Sequence, residues 1–445
     1  MQKQGENPSR LVFVVYPFQG HINPMLQLAT AFHTKGYSIT IIHPEFNSPN
    51  PSNHPPFTFV SIPDRLLQSN VSLAPGDFLT RIFVLNKNCA APLKQCLERM
   101  LDDDDGKHSV EHVAGVIYDC FMYFVQFVAD DLGLPGFSMR PVAAAWLLVS
   151  VIPHTEQESV FESQIPELQP LELTSMAKNP TDAATEMRAA MLNATERSSG
   201  VILNTMEFLE YAALSTIREY WPAPLFATGP FHKLAPSSAS SLLQEDARCI
   251  SWLDHQAPRS IIYVSFGSIA GLSKQDVVEM AWGLAESKQP FLWVIRHGSV
   301  LGTTELLLPD GFRERVGDRG LIVEWAPQQE VLAHDAVGGF WTHCGWNSTL
   351  ESVSQGVPML CRPCFGDQFL NMRYICYVWK IGLRLENVLD RGNVEDGIRT
   401  LMVNIQGEEM RHRAMEFKAK TELCLREGGS SSSSLDEFTK LISSV

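Results

Sequence analysis

The chain predicts an α/β protein with two doubly wound parallel-sheet domains facing a cleft. Short runs rich in Val, Ile and Phe alternate with longer amphipathic stretches, the signature of βα units around a parallel sheet. Those runs carry few charges, as strands buried on both faces do. The rhythm stops at one small, polar segment, Pro236-Ser-Ser-Ala-Ser-Ser-Leu, and restarts beyond it. A chain of 445 residues also exceeds the ~250–300 at which a single core stops growing.

The first half offers strands at LVFVVYP (11–17), YSITIIH (37–43), FTFVSIP (57–63), VAGVIYD (113–119), GVILNT (200–205) and LFATGP (225–230). Helical patterns lie between them, among them Asn23–Lys35 and Phe121–Leu132. After the linker come SIIYVSFGS (260–268), PFLWVIR (290–296), GLIVEW (320–325), GGFWTH (338–343), VPMLCRP (357–363) and IGLRLE (381–386). The Gly428-Gly429 pair with the run Ser430–Ser434 reads as a hinge, and Leu435–Val445 as a final amphipathic helix. The expected organisation is a domain over 1–235, a linker over 236–244, a second domain over 245–429, and a helix over 430–445 packing back on the first. Ligands of such sheets bind beyond the carboxyl ends of the strands, here in the cleft.

Composition narrows the function. Hydrophobic residues make up 45% and charged ones 19%, which excludes disorder. Lys and Arg number 35 against 50 Asp and Glu, a net charge of −15 that repels phosphate backbones and anionic lipid. Nine cysteines, an odd number without a repeating framework, read as reduced thiols of a cytosolic protein. The pair Cys361 and Cys364 has no second CxxC or His cluster to complete a zinc site, so it reads as packing. The N-terminal apolar run is too short and too early for a signal peptide, and no stretch reaches the ~18–20 apolar residues that span a bilayer. Asn70, Asn193 and Asn347 start N-x-S/T triplets that read as chance, and Asp102–Asp105 as a solvated loop. A cytoplasmic monomer with small-molecule ligands, without nucleic acid or a transmembrane segment, is the expectation.

The densest information is the 44-residue stretch from Trp325 to Gln368. In Thr342-His-Cys-Gly-Trp-Asn-Ser348 a strand ends at His343, Gly345 permits a tight turn, and a helix starts near Asn347. A helix N-terminus presents unpaired N–H groups and positive dipole to a phosphate, and His343, Asn347 and Ser348 add donors there. Ser348-Thr-Leu-Glu351 fits a capping box equally well. Trp325 offers a flat face for a base, with the Ala326 backbone beside it, and fits a core aromatic too. Glu351 suits the paired hydroxyls of a ribose. Asp367 and Gln368, past the next strand, suit sugar hydroxyls.

The first domain carries a second pattern. Removing a proton from a substrate needs a base, and histidine titrates near cellular pH. His21 follows the first strand in Pro17-Phe-Gln-Gly-His-Ile-Asn-Pro24, and Asp119 ends the strand GVIYD of the same sheet. A carboxylate bonded to one ring nitrogen fixes the tautomer and stabilises the imidazolium.

Taken together, PFQGHINP, the FGS strand end, the 44-residue box and a closing EGGSS resemble the plant family 1 UDP-dependent glycosyltransferases over nearly the whole chain. The resemblance implies the GT-B fold, with two Rossmann-like domains, and a role for each matching residue. Trp325 would stack the uracil, Ala326 contact it through its backbone, and Gln328 and Glu351 hold the ribose. His343, Asn347, Ser348 and Ser268 would bind the diphosphate, Gly20 would join the donor site, and Trp346, Asp367 and Gln368 would surround the hexose. Gln368 resembles the glucose-preferring members, so UDP-glucose is the expected donor. His21 would be the base and Asp119 its partner, giving a β-glucoside by in-line inversion with no metal and no further cofactor.

The first domain is then expected to hold the acceptor, a phenolic, flavonoid or terpenoid. Phe18, Phe83, Met122, Phe124, Arg140, Trp146 and Met191 are candidate walls, with Phe365 reaching from the second domain. Arg140 suits an acidic acceptor or a structural carboxylate. The stretch Pro141-Val-Ala-Ala-Ala145 departs from relatives that place Thr or Ser after this Arg, which removes hydroxyl partners. O-, N-, S- and C-transfer share the constellation. A UDP-sugar hydrolase or epimerase and a non-catalytic UDP-sugar-binding protein are the rival readings, the last disfavoured by an intact His21 and Asp119.

Overall fold

The computed structural model describes residues 9–68, 78–102, 112–152, 182–221, 223–234, 241–303, 308–385 and 388–444. Linker residues 236–240, the acidic residues 103–105, Asn70, Glu386 and Val445 lie outside the described residues. The chain divides into two units, one taking the chain as far as Leu242 together with Cys424–Val445, the other taking Leu243–Leu423.

The first unit holds strands β1 (Arg10–Val14), β2 (Ser38–Pro44), β3 (Thr58–Ile62), β4 (Val113–Asp119), β5 (Gly136–Arg140), β6 (Gly200–Leu203) and β7 (Leu225–Ala227). They form one parallel sheet in the order β3-β2-β1-β4-β5-β6-β7. The reversal of order between β1 and β4 is the switch point at which doubly wound sheets open toward a ligand. Alternation along the strands divides the core in two. Leu11, Phe13 and Ile117 pack with Ile22, Met25 and Phe32 on one face. Val12, Val14 and Tyr118 pack with Ile82, Leu85 and Val125 on the other.

The strand β5 was not expected. Its five residues, GFSMR, contain a glycine and an arginine and follow Leu134-Pro135, so neither alternation nor a β-branched run marks it. Burial between β4 and β6 makes it a strand.

In the second unit β8 (Ile261–Ser265), β9 (Phe291–Val294), β10 (Gly320–Val323), β11 (Val337–Thr342), β12 (Met359–Cys361) and β13 (Gly382–Arg384) form a parallel sheet ordered β10-β9-β8-β11-β12-β13. Its core is built on Trp293, Phe291, Trp341 and the flanking Leu284, Val394 and Ile398, all fully buried.

The serine run is not a hinge. A helix spans Ser430–Ile442, with Gly429 as its N-cap and the left-handed turn (φ 77°) falling on Gly428. Serine is a poor residue in a helix interior but is tolerated in the first turn, where backbone N–H groups lack partners. Ser431 continues the buried stripe of Leu435, Phe438 and Ile442 back toward the helix start. Within the first unit the Phe438 ring lies 5.6 Å from Phe32, 5.0 Å from Phe137 and 5.0 Å from Phe226.

Candidate active site

The helix after β1 spans Gln19–Thr34, four residues longer at its start than the sequence indicates. Proline is favoured at the first helical position, so Pro24 reads as a beginning; here it sits inside the helix. His21 is thereby placed in the first helical turn, beside Gly20, rather than on a loop. Its Nδ1 lies 2.7 Å from Oδ2 of Asp119, the last residue of β4, which adjoins β1 in the sheet interior. Oδ1 of Asp119 accepts the Phe121 backbone N–H at 2.9 Å. The Phe121 ring covers the imidazole at 4.8 Å and Tyr16 meets it edge-on at 5.1 Å. Asp119 has no exposed surface, whereas 14% of the His21 side chain is exposed. A buried carboxylate that only accepts requires the proton on Nδ1, which leaves Nε2 as a proton acceptor.

The candidate acceptor residues are spread over this unit. Phe18 stacks on Tyr16 at 5.0 Å, with the Arg81 guanidinium 5.1 Å from its ring centroid. Phe83, Trp146 and Met191 are partly buried. Met122 has no exposed surface and packs with Phe124 and Val125, so its side chain is core. Arg140 is 3% exposed and donates from Nη2 to the Thr195 hydroxyl at 2.8 Å. Among the described residues Arg140 has this hydroxyl as its side-chain partner and no carboxylate. Glu210, fully buried, accepts the N–H groups of Ala144 and Ala145 at 2.8 and 3.0 Å and so caps the Ala144–Val151 helix that follows Arg140; desolvation raises its pKa.

In the second unit the candidate residues gather beyond the carboxyl ends of four strands. Ser268 follows β8, Trp325 and Ala326 follow β10, His343 follows β11, and Asp367 and Gln368 follow β12. The helix Gln328–Ala333 starts directly after Ala326-Pro327. Gln328 is the hub between it and the Trp346–Gln355 helix. Its Nε2 donates to Ser348 Oγ at 2.9 Å and to Glu351 Oε2 at 2.7 Å, and Gln329 Nε2 donates to the other Glu351 oxygen at 3.1 Å. The capping box is therefore not formed. The helix begins at Trp346 with Gly345 as its N-cap, too early for Ser348 to cap it, and Glu351 faces the glutamines.

The left-handed residue of the turn is Cys344 (φ 66°), held by its N–H to Thr342 Oγ1 at 3.0 Å and by Asn371 Nδ2 on its carbonyl at 2.9 Å. Gly345 has φ −60°, so the turn's backbone does not require glycine there. Space does: a Cβ at Gly345 would stand 2.5 Å from His343 Nε2, and one at Gly267 2.7 Å from the same nitrogen. Two glycines clear the imidazole. Burial lowers the His343 pKa to about 4, against a weaker opposing effect of the Ser265 backbone, so the ring is neutral near pH 7 and offers an uncharged donor.

At the far end Gln368 is 4% exposed, and its Oε1 accepts the N–H groups of Cys364 and Phe365 at 2.8 and 3.1 Å. That leaves its NH2 as the group to offer a ligand. Asp367 Oδ2 accepts from Asn371 at 3.0 Å. Trp346 is turned inward, 3% exposed, its ring 6.4 Å from Trp379, while Phe365 is 42% exposed. Cys361 and Cys364 are free thiols with pKa values raised by desolvation. Among the described residues no three His, Cys, Asp or Glu side chains gather as a metal site. Gln329, the Phe121 N–H and Tyr263, whose hydroxyl donates to Gln328 Oε1 at 3.2 Å, escaped the sequence reading. Only Gln329, adjacent to Gln328, had a positional signal.

Two doubly wound parallel sheets in tandem, the second with its ligand-ready groups around one helix N-terminus, are the layout of the GT-B class of sugar-nucleotide transferases. The family model for UDP-glucoronosyl and UDP-glucosyl transferase matches residues 229–416. UDP-glycosyltransferase 76B1 of Arabidopsis thaliana is 44% identical over 439 residues, covering 96% of each chain. UDP-glycosyltransferase 76H1 of Stevia rebaudiana is 42% identical, covering 95% of this chain and 100% of its own. The flavonol 3-O-glucosyltransferase UGT76E12 of Arabidopsis thaliana is 42% identical, covering 98% of each. Among solved structures, Os79 from O. sativa in complex with UDP superposes with a TM-score of 0.85 at 26% identity, over 97% of this chain and 100% of that one. Phytolacca americana UGT2, complexed with UDP-2fluoro-glucose and pterostilbene, does so at 0.81 and 26%, over 98% and 100%. The chain belongs to the UDP-glucoronosyl and UDP-glucosyl transferase family and is a UDP-glycosyltransferase. Among the described residues no helix is long and apolar enough to cross a membrane.

Proposed function

We propose that the enzyme moves glucose from UDP-glucose to a hydroxyl of a small lipophilic acceptor, phenolic, flavonoid or terpenoid, with inversion to a β-glucoside. The observation that carries this is the 2.7 Å contact between His21 and Asp119. Nε2 of His21 takes the acceptor proton as the oxygen attacks the anomeric carbon; the C–O bond to the diphosphate breaks, and UDP leaves. Asp119 holds the resulting imidazolium by charge and orientation. His343, Asn347, Ser348, Ser268 and the helix N-terminus stabilise the departing diphosphate with neutral donors, so the reaction needs no metal. Trp325 and Ala326 take the uracil, Gln328 and Glu351 the ribose, and Asp367 and Gln368 the hexose. The free NH2 of Gln368 supports the last assignment.

Names of similar proteins support the acceptor class. One relative is named a flavonol 3-O-glucosyltransferase, and one neighbour was solved with pterostilbene and a fluorinated UDP-glucose. Nine free cysteines support a reducing, cytoplasmic setting.

The test is an acceptor panel with UDP-glucose, read by product mass and by the anomeric coupling of the isolated glucoside, with and without EDTA. Hexosylated products with a β anomer, unchanged by the chelator, are expected. Free glucose without glucoside would instead make the enzyme a hydrolase, and inhibition by EDTA would overturn the metal-free route.

A further inference from the structure

We propose that Tyr263 is a positioning residue of the nucleotide site: its hydroxyl fixes the Gln328 amide and, through it, both Ser348 and Glu351. This rests on the reading of those three residues as ligands of the nucleotide sugar.

The argument is one of donors and acceptors. The two ends of a glutamine amide are alike in shape and opposite in chemistry. Glu351 is a carboxylate and accepts only, so the end facing it at 2.7 Å is the NH2. The second proton of that NH2 reaches Ser348 Oγ at 2.9 Å. Having accepted there, Ser348 keeps its own proton to give to a ligand. The carbonyl end of Gln328 then needs a donor, and the Tyr263 hydroxyl supplies it at 3.2 Å. Tyr263 is 1% exposed on β8 and stacked on Phe340 at 5.1 Å, so its ring has no room to swing away. Burial raises the phenol's pKa well above the usual range, so it stays a donor. A directional chain thus runs from the sheet to the helix. Without the Tyr263 hydroxyl, the Gln328 carbonyl loses its donor and the amide can turn, which sets a like pole against Glu351.

The experiment is isothermal titration of the full chain with UDP and with 2′-deoxy-UDP. The wild type is expected to prefer UDP, because Glu351 and Gln328 hold the ribose hydroxyls. Tyr263→Phe, nearly isosteric, is expected to lower that preference by about three- to tenfold, the usual worth of one hydrogen bond. A merely structural role would weaken both ligands alike and leave the ratio intact. In a Gln328→Ala background, Tyr263→Phe is expected to change the ratio no further. A Tyr263→Phe enzyme with the wild-type ratio, or an additive loss in the double variant, overturns the proposal. If the wild type itself fails to distinguish the two ligands, the ribose assignment fails, and the role of Tyr263 with it.

Discussion

Asp119 holds His21 by one oxygen and the Phe121 backbone N–H by the other, at 2.7 and 2.9 Å. Both carboxylate oxygens are thereby engaged, which fixes the orientation of the imidazole and leaves Nε2 as its unprotonated nitrogen. In the role proposed for it, His21 is held in place before any acceptor arrives.

Substituting the carboxylate tests this. Asp119→Asn keeps the shape but presents an NH2 or a weaker acceptor to Nδ1, which favours the wrong tautomer. We expect kcat to fall by about 10²–10⁴-fold, the usual worth of general-base catalysis. His21→Ala is expected to do at least as much while UDP-glucose binding by calorimetry stays near wild type. Loss of donor binding in His21→Ala would move that residue out of the catalytic role.

Gly345→Ala probes the end of the site proposed to hold the diphosphate. The added methyl would sit 2.5 Å from His343 Nε2, and the ring must yield. The expected result is a tenfold or larger rise in KM for UDP-glucose, roughly 1.4 kcal/mol of lost ligand binding, with a smaller change in kcat. An unaltered KM would mean that His343 does not contact the nucleotide.

Acid sensitivity has a specific source. Burial lowers His232 to about 3, so the unfolded chain takes up a proton near pH 6.5 that the folded one refuses. The sign follows: stability from this group is present above about pH 6.5 and declines as the pH falls toward 3. From pH 7 to pH 5 the loss is about 2 kcal/mol. Urea titrations at the two pH values should show a smaller difference for His232→Gln than for the wild type. Equal differences would place the titrating group elsewhere.

Phe438→Ala should destabilise the first unit by about 3–5 kcal/mol, because the ring fills a site among Phe32, Phe137 and Phe226. Denaturant unfolding followed by intrinsic fluorescence measures it. A cost under about 1 kcal/mol would show that the C-terminal helix contributes little to that core.

Among the described residues, twelve of the thirteen strands could be read from apolar runs, most of them because interior strands buried on both faces leave an unbroken hydrophobic trace. The exception, Gly136–Arg140, owes its state to its neighbours and left no local mark. His21 was legible just after the first strand and Asp119 at the end of another strand of the same sheet, but the helix start at Gln19 was hidden by the proline at position 24. Gly345 was legible as an important glycine for the wrong reason: sequence suggests a turn, whereas the imidazole next door needs the space. Tyr263 was illegible because an aromatic in a strand looks like core, and only the distance to Gln328 sets it apart. Chemistry carried by special residue types shows in sequence; the hydrogen-bond partners that orient it are ordinary residues chosen by geometry.

The last helix has a bearing on biosynthesis. Leu435, Phe438 and Ile442 belong to the core that β1 and the Gln19–Thr34 helix begin to form more than 400 residues earlier. On the ribosome, the nascent first unit therefore waits with one apolar face uncovered until the second unit and this helix have been synthesised. Its completion comes late in synthesis, and a chain lacking this helix would leave an adhesive surface for chaperones to shield.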